Sequence, residues 1–518
     1  MTLNERRGMP IWKRLFFILL AILILAVNIT LVAVFFIFVI GAEGYLYGSI
    51  TGLILLAIQL LGVFFSFYVS RLDMSTNYKT LWVFLIILIP YVFIIIYFLN
   101  STSRSYSKKK REKIFKAMKK YRTSNEYDLN DLSKVDKNII NILGDDLYAP
   151  VYRNTKYVFF SDIEDKFIDM LEEMSKAKHY ILIESFILRS GYLMDKVIDV
   201  LTKKGNEGVK IYILYDTVGS IGISRRLIRR LEHIKNCQIN NYEPLGFSIN
   251  LLVNYRDHRK ITIIDGIIAY CGGDNFSDVY IHKVTRFGYW RDNCGKYIGE
   301  AVNTFVYLFS SMWYVSTQEE LKLDYKPDYK EINYDIRNVI IPFGDGPSNS
   351  VDTSYNLFVS LFMNAQEKIY ISTPYFIIDD QMINLLWMKA KSGVDVRILM
   401  PGIPDKKIVY WMGEANYRKL LLAGVKIYEY KDGFNHAKNI IIDNKYAFIG
   451  TINMDYRSLF LHYECGALIM YDPEISKMED DFIKSCDISP LFTYKDYKKR
   501  KWYKKFIAFV LNIFGPFF

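Results

Sequence analysis

Two stretches of the sequence carry a histidine and a lysine at the same spacing before a run of branched apolar residues. The first reads DHRKITIID at 257–265, and the second reads NHAKNIIID at 435–443. Side chains two residues apart on a strand share a face, so each stretch would present an imidazole and an ammonium group to one space. One copy alone would be a weak signal, but the second copy indicates a shared function.

Each copy continues to an aspartate and then to a glycine turn that ends in an asparagine. The residues concerned are His258, Lys260, Asp265, Gly272, Gly273 and Asn275 in the first copy, and His436, Lys438, Asp443, Gly450 and Asn453 in the second. Both aspartates lie an odd number of residues after their histidines, so on a straight strand they point to the other face and are expected to act as structural anchors. The glycines admit a close approach, and the asparagines add polar donors.

Two imidazoles, two ammonium groups and two amides suit a phosphodiester. The cations and amides would hold the phosphoryl oxygens and stabilise the charge that develops in the transition state. One imidazole would attack phosphorus, and the other would protonate the leaving oxygen. No metal or other cofactor is expected, because the lysines supply positive charge and neither histidine has a partner at the spacing of a zinc site.

Each histidine also needs an acceptor for its second ring nitrogen. Asp292 in GYWRDNCG and Glu464 in LHYECGAL follow the two motifs at similar distances and are the candidates. The neighbouring Tyr289 and Trp290 belong either to a pocket wall or to the core. No role is predicted for the remaining histidines, which are His179, His233, His282 and His462.

Short branched runs alternate with helical patterns after the N-terminal region, which indicates an α/β fold. Residues 258–275 and 436–453 match without a gap, and further matched landmarks in the same order indicate a duplication. The predicted architecture is therefore two similar α/β halves, at 146–330 and 331–490, preceded by N-terminal transmembrane helices.

The N-terminal region is unusually apolar. After a basic segment at 1–14, residues 15–103 contain three charge-free runs, which are Leu15–Gly41, Tyr45–Ser70 and Thr80–Ser103. Each run is long enough to cross a bilayer, so two to three transmembrane helices are expected, with a kink at Pro90. This predicts a multi-pass protein of the cell membrane. The odd number of cysteines, five, favours a catalytic portion on the cytoplasmic side.

Positive charge is concentrated beside the apolar segments. The net charge is +11, with basic clusters in a linker at 104–145 and in a tail at 491–518 that ends in apolar residues. Anionic membrane lipids are the expected partners, and the tail suits a helix lying at the headgroup boundary. A solvated charge run followed by a docking helix is the alternative for the tail. Nucleic acid is not expected, since no aromatic stacking motif is recognisable.

The complete motif pair resembles the phospholipase D superfamily, whose signature HxKx4D followed by GxxN occurs twice. Within it, the segments NYRDHRKITIIDG, GYWRDNCGKYIGEAV, STPYFIIDD and NMDYRSLFLHYE resemble bacterial cardiolipin synthases. The resemblance covers about residues 146–490 and implies two facing halves with one active site. It also implies a reaction that joins two phosphatidylglycerol molecules into cardiolipin and releases glycerol. By that analogy Asp265 and Asp443 belong to the catalytic set, His258 is the nucleophile and His436 the acid and later base, or the reverse.

The sequence departs from this family in two places. It has three apolar runs where two are usual, and Asp257 stands where an amide is typical. Two other enzymes remain open, a phospholipase D-type hydrolase and a synthase that uses CDP-diacylglycerol, because water and different alcohols compete for one intermediate. The non-enzyme alternative is a membrane protein that binds anionic lipids. The sequence gives no prediction of the oligomeric state.

Overall fold

The computed structural model describes residues 45–72, 76–101, 127–143, 149–242, 255–329, 338–347, 349, 351–513 and 515. The chain divides into two compact units, 1–102 and 103–518. The basic segment at 1–14, the first predicted apolar run (Leu15–Gly41) and most of the linker at 104–145 lie outside the described residues.

The described part of the N-terminal unit contains the helices α1 (Tyr45–Ser70), α2 (Thr76–Leu88) and α3 (Pro90–Ser101). Pro90 has no N–H to continue the ladder of α2, so the run is interrupted there, with the bonds from Ile89 N–H to Leu85 and from Phe93 N–H to Ile89 on either side. Gly62 of α1 lies against this break, where an added Cβ would stand 2.7 Å from the Pro90 Cβ. The 13 residues of α2 and the 12 of α3 each extend about 20 Å or less, which is shorter than a bilayer core of about 30 Å.

Within the described ranges, no helix has both the length and the apolar character required to cross a bilayer. The expectation of transmembrane helices at Tyr45–Ser70 and Thr80–Ser103 is therefore not met there. For the second of these runs, the division at Pro90 is the physical reason.

The second unit contains two large sheets and the helices that cover them. The strands of the first sheet are β1 (Thr155–Phe160), β2 (Tyr180–Ser185), β3 (Lys210–Asp216), β4 (Cys237–Tyr242), β5 (Ile261–Ile264), β6 (Ile268–Gly272) and β8 (Cys294–Gly299). The short strand β7 (Tyr289–Arg291) lies outside this sheet. The strand order is β1-β8-β6-β5-β2-β3-β4.

The second sheet is built in the same way from residues after position 338. Its strands are β9 (Val339–Asp345), β10 (Lys368–Ser372), β12 (Asp395–Pro401), β13 (Lys426–Tyr430), β15 (Asn439–Ile442), β16 (Tyr446–Gly450), β18 (Glu464–Met470) and β19 (Leu491–Phe492). The short strands are β11 (Phe376–Ile377), β14 (Gly433–Asn435) and β17 (Met454–Asp455). The order is β19-β13-β12-β10-β15-β16-β18-β9.

Helices lie between the strands along the chain. Helix α4 (Lys134–Leu143) precedes both halves and packs against the core of the second. The helices of the first half are α5 (Ile163–Lys176), α6 (Tyr192–Asn206), α7 (Arg225–Glu232) and α8 (Val302–Thr317). Those of the second half are α9 (Thr353–Asn364), α10 (Asp380–Lys391), α11 (Lys407–Ala423), α12 (Tyr456–Phe460), α13 (Glu474–Asp487), α14 (Tyr494–Lys499) and α15 (Trp502–Ile513).

The two sheets repeat one arrangement. The order β8-β6-β5-β2-β3-β4 in the first corresponds to β18-β16-β15-β10-β12-β13 in the second. β2 is parallel to β3 and antiparallel to β5, as β10 is parallel to β12 and antiparallel to β15. The α/β fold with two sheet-containing halves, predicted from the sequence, is confirmed.

The halves share a core between their sheets because successive residues of a strand point to opposite faces. Ile263 of β5 and Ile441 of β15 belong to one buried cluster that includes both sheets, whereas Ile264 packs with the helices of its own half. Burying each isoleucine contributes about 1.5–3 kcal/mol. Small side chains let the sheets approach, and the sulfur atoms of Cys271 and Cys465 lie 3.5 Å apart across the boundary.

Candidate active site

His258 is positioned by the opposite half of the unit. Its backbone N–H donates to the Tyr463 carbonyl at 2.9 Å, in the segment that leads into β18. The next residue is Glu464, whose two carboxylate oxygens lie 2.9 and 3.0 Å from His258 Nδ1. Because a carboxylate can only accept, the hydrogen atom lies on Nδ1, and the Nε2 lone pair is left free for the site.

Several contacts keep Glu464 ionised although it is fully buried. Burial opposes its ionisation, but the charge interaction and hydrogen bond with His258 outweigh this and hold the pKa of Glu464 well below its usual range. The Thr451 hydroxyl donates a further hydrogen bond to Glu464 Oε2. Burial lowers the pKa of His258 to about 3, with Glu464 acting in the opposite direction, so this imidazole is neutral in the free site.

His436 is held in the same way by the first half. Its backbone N–H donates to the Arg291 carbonyl at 2.7 Å, beside the parallel pairing of β7 with β14. Asp292 follows Arg291, and its Oδ2 lies 2.5 Å from His436 Nδ1. Each histidine is thus paired with a carboxylate from the other half.

The Asp292 pair differs from the Glu464 pair in its affinity for protons. Burial raises the pKa of Asp292 to about 6, although Lys438 and the Asn293 N–H act in the opposite direction. Burial also holds the pKa of His436 well below its usual range, with further lowering by the cations Lys438 and Lys260. This pair can therefore hold an additional proton at a pH where Glu464 remains ionised.

The two lysines complete one common site. The ammonium group of Lys260 donates to the His258 carbonyl, and that of Lys438 donates to the His436 carbonyl. Both lysines are buried. Burial lowers the pKa of Lys438 to about 8, opposed first by Asp292, and burial also lowers the pKa of Lys260. Each ammonium interacts electrostatically with the carboxylates of both halves, so the two motifs form a single charged centre.

The two asparagines make different contacts. Asn275 accepts from the Ile187 N–H at 2.9 Å and donates to the Tyr280 hydroxyl at 2.7 Å. The Oδ1 atom of Asn453 is buried and has no hydrogen-bond partner among the described residues.

The predicted glycines allow close approach of neighbouring backbone and side chains. A Cβ on Gly273 would lie 2.2 Å from Asp292 Oδ1, and one on Gly272 would lie 2.5 Å from the Asn293 carbonyl. A Cβ on Gly450 would lie 2.4 Å from the Cys465 carbonyl. These glycines therefore shape the strands that carry the carboxylates.

Asp265 and Asp443 are hydrogen-bonded to backbone rather than to the histidines, as expected of structural anchors. Each lies just after the far end of its strand, β5 or β15, and accepts hydrogen bonds from three consecutive backbone N–H groups. The donors are Lys178, His179 and Tyr180 for Asp265, and Gln366, Glu367 and Lys368 for Asp443. Both residues therefore fix the start of the adjacent strand, β2 or β10, and they do so in equivalent ways.

Two residues beside the histidines differ between the halves. The ring of His462, for which the sequence predicts no role, lies 5.4 Å from that of His258, and the ring of Trp290 lies 5.3 Å from that of His436. Each stands two residues before its carboxylate, and this equal offset is the signal in the sequence that identifies them. Tyr289 instead stacks on His282, with ring centroids 4.0 Å apart.

Comparison with known proteins agrees with this geometry. The family model described as cardiolipin synthase, PLD-like domain, matches residues 170–284 and 358–486. A cardiolipin synthase of Halalkalibacterium halodurans is 30% identical, over 96% of this chain and 98% of its own. A cardiolipin synthase of Clostridium perfringens is 33% identical, over 85% of this chain and 94% of its own.

A solved structure shows a similar fold. The phosphatidylserine synthase of Haemophilus influenzae superposes with a TM-score of 0.55 at 17% identity, covering 74% of this chain and 97% of its own. This likeness supports the α/β architecture with two halves. The identity and coverage of the curated relatives go further and confirm the resemblance found in the sequence. The chain belongs to the cardiolipin synthase family of phospholipase D-like proteins.

Proposed function

We propose that this protein is a phosphatidyltransferase that joins two phosphatidylglycerol molecules into cardiolipin and releases glycerol. The observation that carries the proposal is the crossed pairing of two buried histidines with two carboxylates around two lysines. A lipid-binding protein would need cations but would gain nothing from two oriented imidazoles. The family assignment supports the same reaction.

In the first step, Nε2 of His258 attacks the phosphorus atom of one phosphatidylglycerol. A P–N bond forms, the P–O bond to the glycerol headgroup breaks, and His436 gives its proton to the leaving glycerol oxygen. The opposite proton affinities of Glu464 and Asp292 support this order of roles. Burial keeps His258 neutral, and Glu464 holds its hydrogen atom on Nδ1 so that Nε2 is the nucleophile, whereas the pair of Asp292 and His436 can hold the proton that the leaving group takes.

In the second step, a glycerol hydroxyl of another phosphatidylglycerol attacks the phosphatidyl–histidine. His436 accepts the hydroxyl proton, the P–N bond breaks and cardiolipin leaves, which returns both pairs to their starting protonation. Lys260 and Lys438 stabilise the negative oxygens of phosphorus in both steps without a metal ion.

The choice of a lipid alcohol over water rests on a location at the cell membrane, with the catalytic unit on the cytoplasmic side. Exposed apolar side chains of α1, such as Phe64 (71% exposed), provide a surface for lipid contact. On α15, Trp502 is 77% exposed and Phe506 47%, beside the lysines of the basic tail. Such a helix suits the boundary of an anionic bilayer. The multi-pass arrangement stays a prediction from the apolar sequence at 15–103.

The test is to incubate the purified full-length protein with detergent–phosphatidylglycerol micelles and a chelator, without nucleotide, and to identify products by mass spectrometry. Cardiolipin and glycerol in equal amounts are expected, with loss of both in His436→Ala. His233→Ala is the matched control, because His233 is an exposed histidine at the C-terminal end of α7. Phosphatidic acid alone would indicate a hydrolase, and a requirement for CDP-diacylglycerol would indicate a different synthase. Binding without any product would indicate a lipid-binding protein.

A further inference from the structure

His462 adds a third possible metal ligand to the pair formed by His258 and Glu464. Its Nδ1 lies 3.7 Å from Glu464 Oε1, and Glu464 is in turn 2.9 Å from His258 Nδ1. The ligand atoms of His258, His462 and Glu464 all lie within 4.8 Å of one another. The Nδ1 atom of His462 is buried and has no hydrogen-bond partner in the part of the chain that the structure describes.

We propose that His258, His462 and Glu464 form a binding site for Zn²⁺ that blocks the nucleophile. Two imidazoles and one carboxylate, with a fourth position left open, are a ligand set that zinc prefers. Bonds of about 2.0–2.2 Å place tetrahedral ligands about 3.4 Å apart. The present separations of 2.9 and 3.7 Å from Glu464 lie on either side of that value, and all three ligand atoms lie within 4.8 Å of one another, so zinc would draw the two imidazoles closer together.

Zinc binds the deprotonated forms of histidine and glutamate. The hydrogen atom on His258 Nδ1, which Glu464 accepts at 2.9 Å, must leave as the Zn–N bond forms. Thr451 donates to Oε2 of Glu464 and leaves Oε1, the oxygen nearest His462, for the metal. A hydrogen bond of this kind orients a ligating carboxylate.

Zinc at this position would withdraw electron density from His258 and weaken the attack of Nε2 on phosphorus. The open coordination position would also take a phosphate oxygen of the substrate and hold it in an unproductive complex. This inhibitory consequence rests on the proposed function, whereas the metal site rests only on the positions of the three side chains.

The pair formed by His436 and Asp292 has a tryptophan in place of this third ligand. Trp290 stands where His462 stands in the other pair, so His436 and Asp292 have no histidine beside them. Over the described ranges, the cluster at His258 is the only group of three potential ligands. One zinc ion per chain is therefore expected, bound between the halves at the pair of His258 and Glu464.

The test separates binding from activity. Tag-free, chelator-treated full-length protein in detergent is titrated with Co²⁺, which absorbs visible light when it is bound tetrahedrally, and with Zn²⁺ against a chromophoric chelator. One ion per chain is expected. His462→Asn should weaken zinc binding by at least about 100-fold, since even the loss of an outer hydrogen-bond partner costs 10–100-fold. His462→Gln is the second variant, and His233→Asn is the matched control that should keep wild-type affinity.

Activity provides the second readout, as the ratio of transfer rates with and without zinc for each variant. Wild type and His233→Asn should be inhibited and restored by chelator, whereas both His462 variants should show a ratio near one. Absence of the Co²⁺ absorption in wild type, or equal zinc affinity in wild type and the folded His462 variants, would overturn the inference. Metal binding without any transfer activity would overturn the proposed function and leave the site standing.

Discussion

The pair of His258 with Glu464 and the pair of His436 with Asp292 occupy equivalent places in the two halves, but their carboxylates differ in proton affinity. The pKa of Glu464 lies well below its usual range, whereas burial raises that of Asp292 to about 6. Both carboxylates are almost fully buried, so burial alone does not separate them. The pKa of Glu464 is lowered first by His258 and then by His462, whereas that of Asp292 is lowered less, by Lys438 and the Asn293 N–H.

One pair of equivalent positions also differs in the hydrogen bonds that it makes. Thr451 of the second half donates a hydrogen bond to Glu464, and the equivalent Gly273 of the first half has no side chain to donate to Asp292. A hydroxyl donor favours the ionised form of a buried carboxylate. A duplicated site can therefore give two copies of one motif different surroundings through single differences at variable positions of the motif.

The largest loss of activity is expected from replacing the two histidines, and the two replacements should block different steps. His258→Ala should abolish release of any leaving group, because the atom that attacks phosphorus is lost. His436→Ala should slow glycerol release by about 10²–10⁴-fold, since the leaving oxygen then lacks its acid. A nitrophenyl phosphatidyl ester needs no acid, so His436→Ala should release nitrophenol once and accumulate a phosphatidyl adduct on His258. The measurement is a quenched burst assay with peptide mass analysis. Accumulation on His436 in the His258→Ala variant would reverse the roles.

Comparing glycerol with nitrophenol as the leaving group should also distinguish the role of Asp292 from that of Glu464. Asp292→Asn removes the acceptor that helps His436 to hold its proton, so glycerol release should fall by at least about 10²-fold while nitrophenol release is largely retained. Glu464→Gln should slow both, because it misorients the nucleophile. Single-turnover rates with both substrates check this. Equal losses with the two leaving groups in Asp292→Asn would contradict the assignment of the acid.

A methyl group at position 273 should disturb one pair without touching the other. Gly273→Ala would place a Cβ 2.2 Å from Asp292 Oδ1 and force this carboxylate to move. A displacement near 1 Å can cost about 10²-fold in rate. Thr451→Ala, which removes only one hydrogen bond to Glu464, should cost less, about tenfold. Both rates are measured alongside thermal unfolding. A Gly273→Ala protein that is folded and fully active would show that the contact with Asp292 is unimportant.

The smallest expected effect concerns the two lysines and pH. The Lys438 ammonium stabilises phosphoryl oxygens only while it is protonated, and its pKa is about 8. Below that pH the charge is present; above it, kcat/KM should fall by about tenfold per pH unit. Lys438→Arg should move this fall to higher pH, because guanidinium stays charged. The profile is measured for Lys438→Arg and Lys260→Arg. A shift in the second variant alone would assign the alkaline limb to Lys260.

Much of this fold could be predicted because its signals are local. The alternation of apolar residues and the gapless match of 258–275 with 436–453 were sufficient for two α/β halves. Strand periodicity also placed Asp265 and Asp443 away from the histidines. The family assignment followed from the two complete motifs.

The crossed pairing could not be predicted, because periodicity within a strand fixes a face but not the partner that the face meets. Asp292 and Glu464 were identified as acceptors, but which histidine each serves depends on backbone hydrogen bonds between the halves. The positions of His462 and Trp290 depend on the same contacts. In the N-terminal unit, the length of an apolar run predicted a span, whereas the proline within it divides the helix.

The crossed pairs also bear on how such a chain could arise. A single ancestral half carries a histidine and a carboxylate that do not reach each other, so it could complete a pair only by associating with a second copy. Fusion into one gene keeps both copies together at any dilution and frees them to diverge. Residues 273 and 451 are equivalent but differ, and so are residues 290 and 462. A symmetric dimer could not have such differences, because both of its copies carry the same residue.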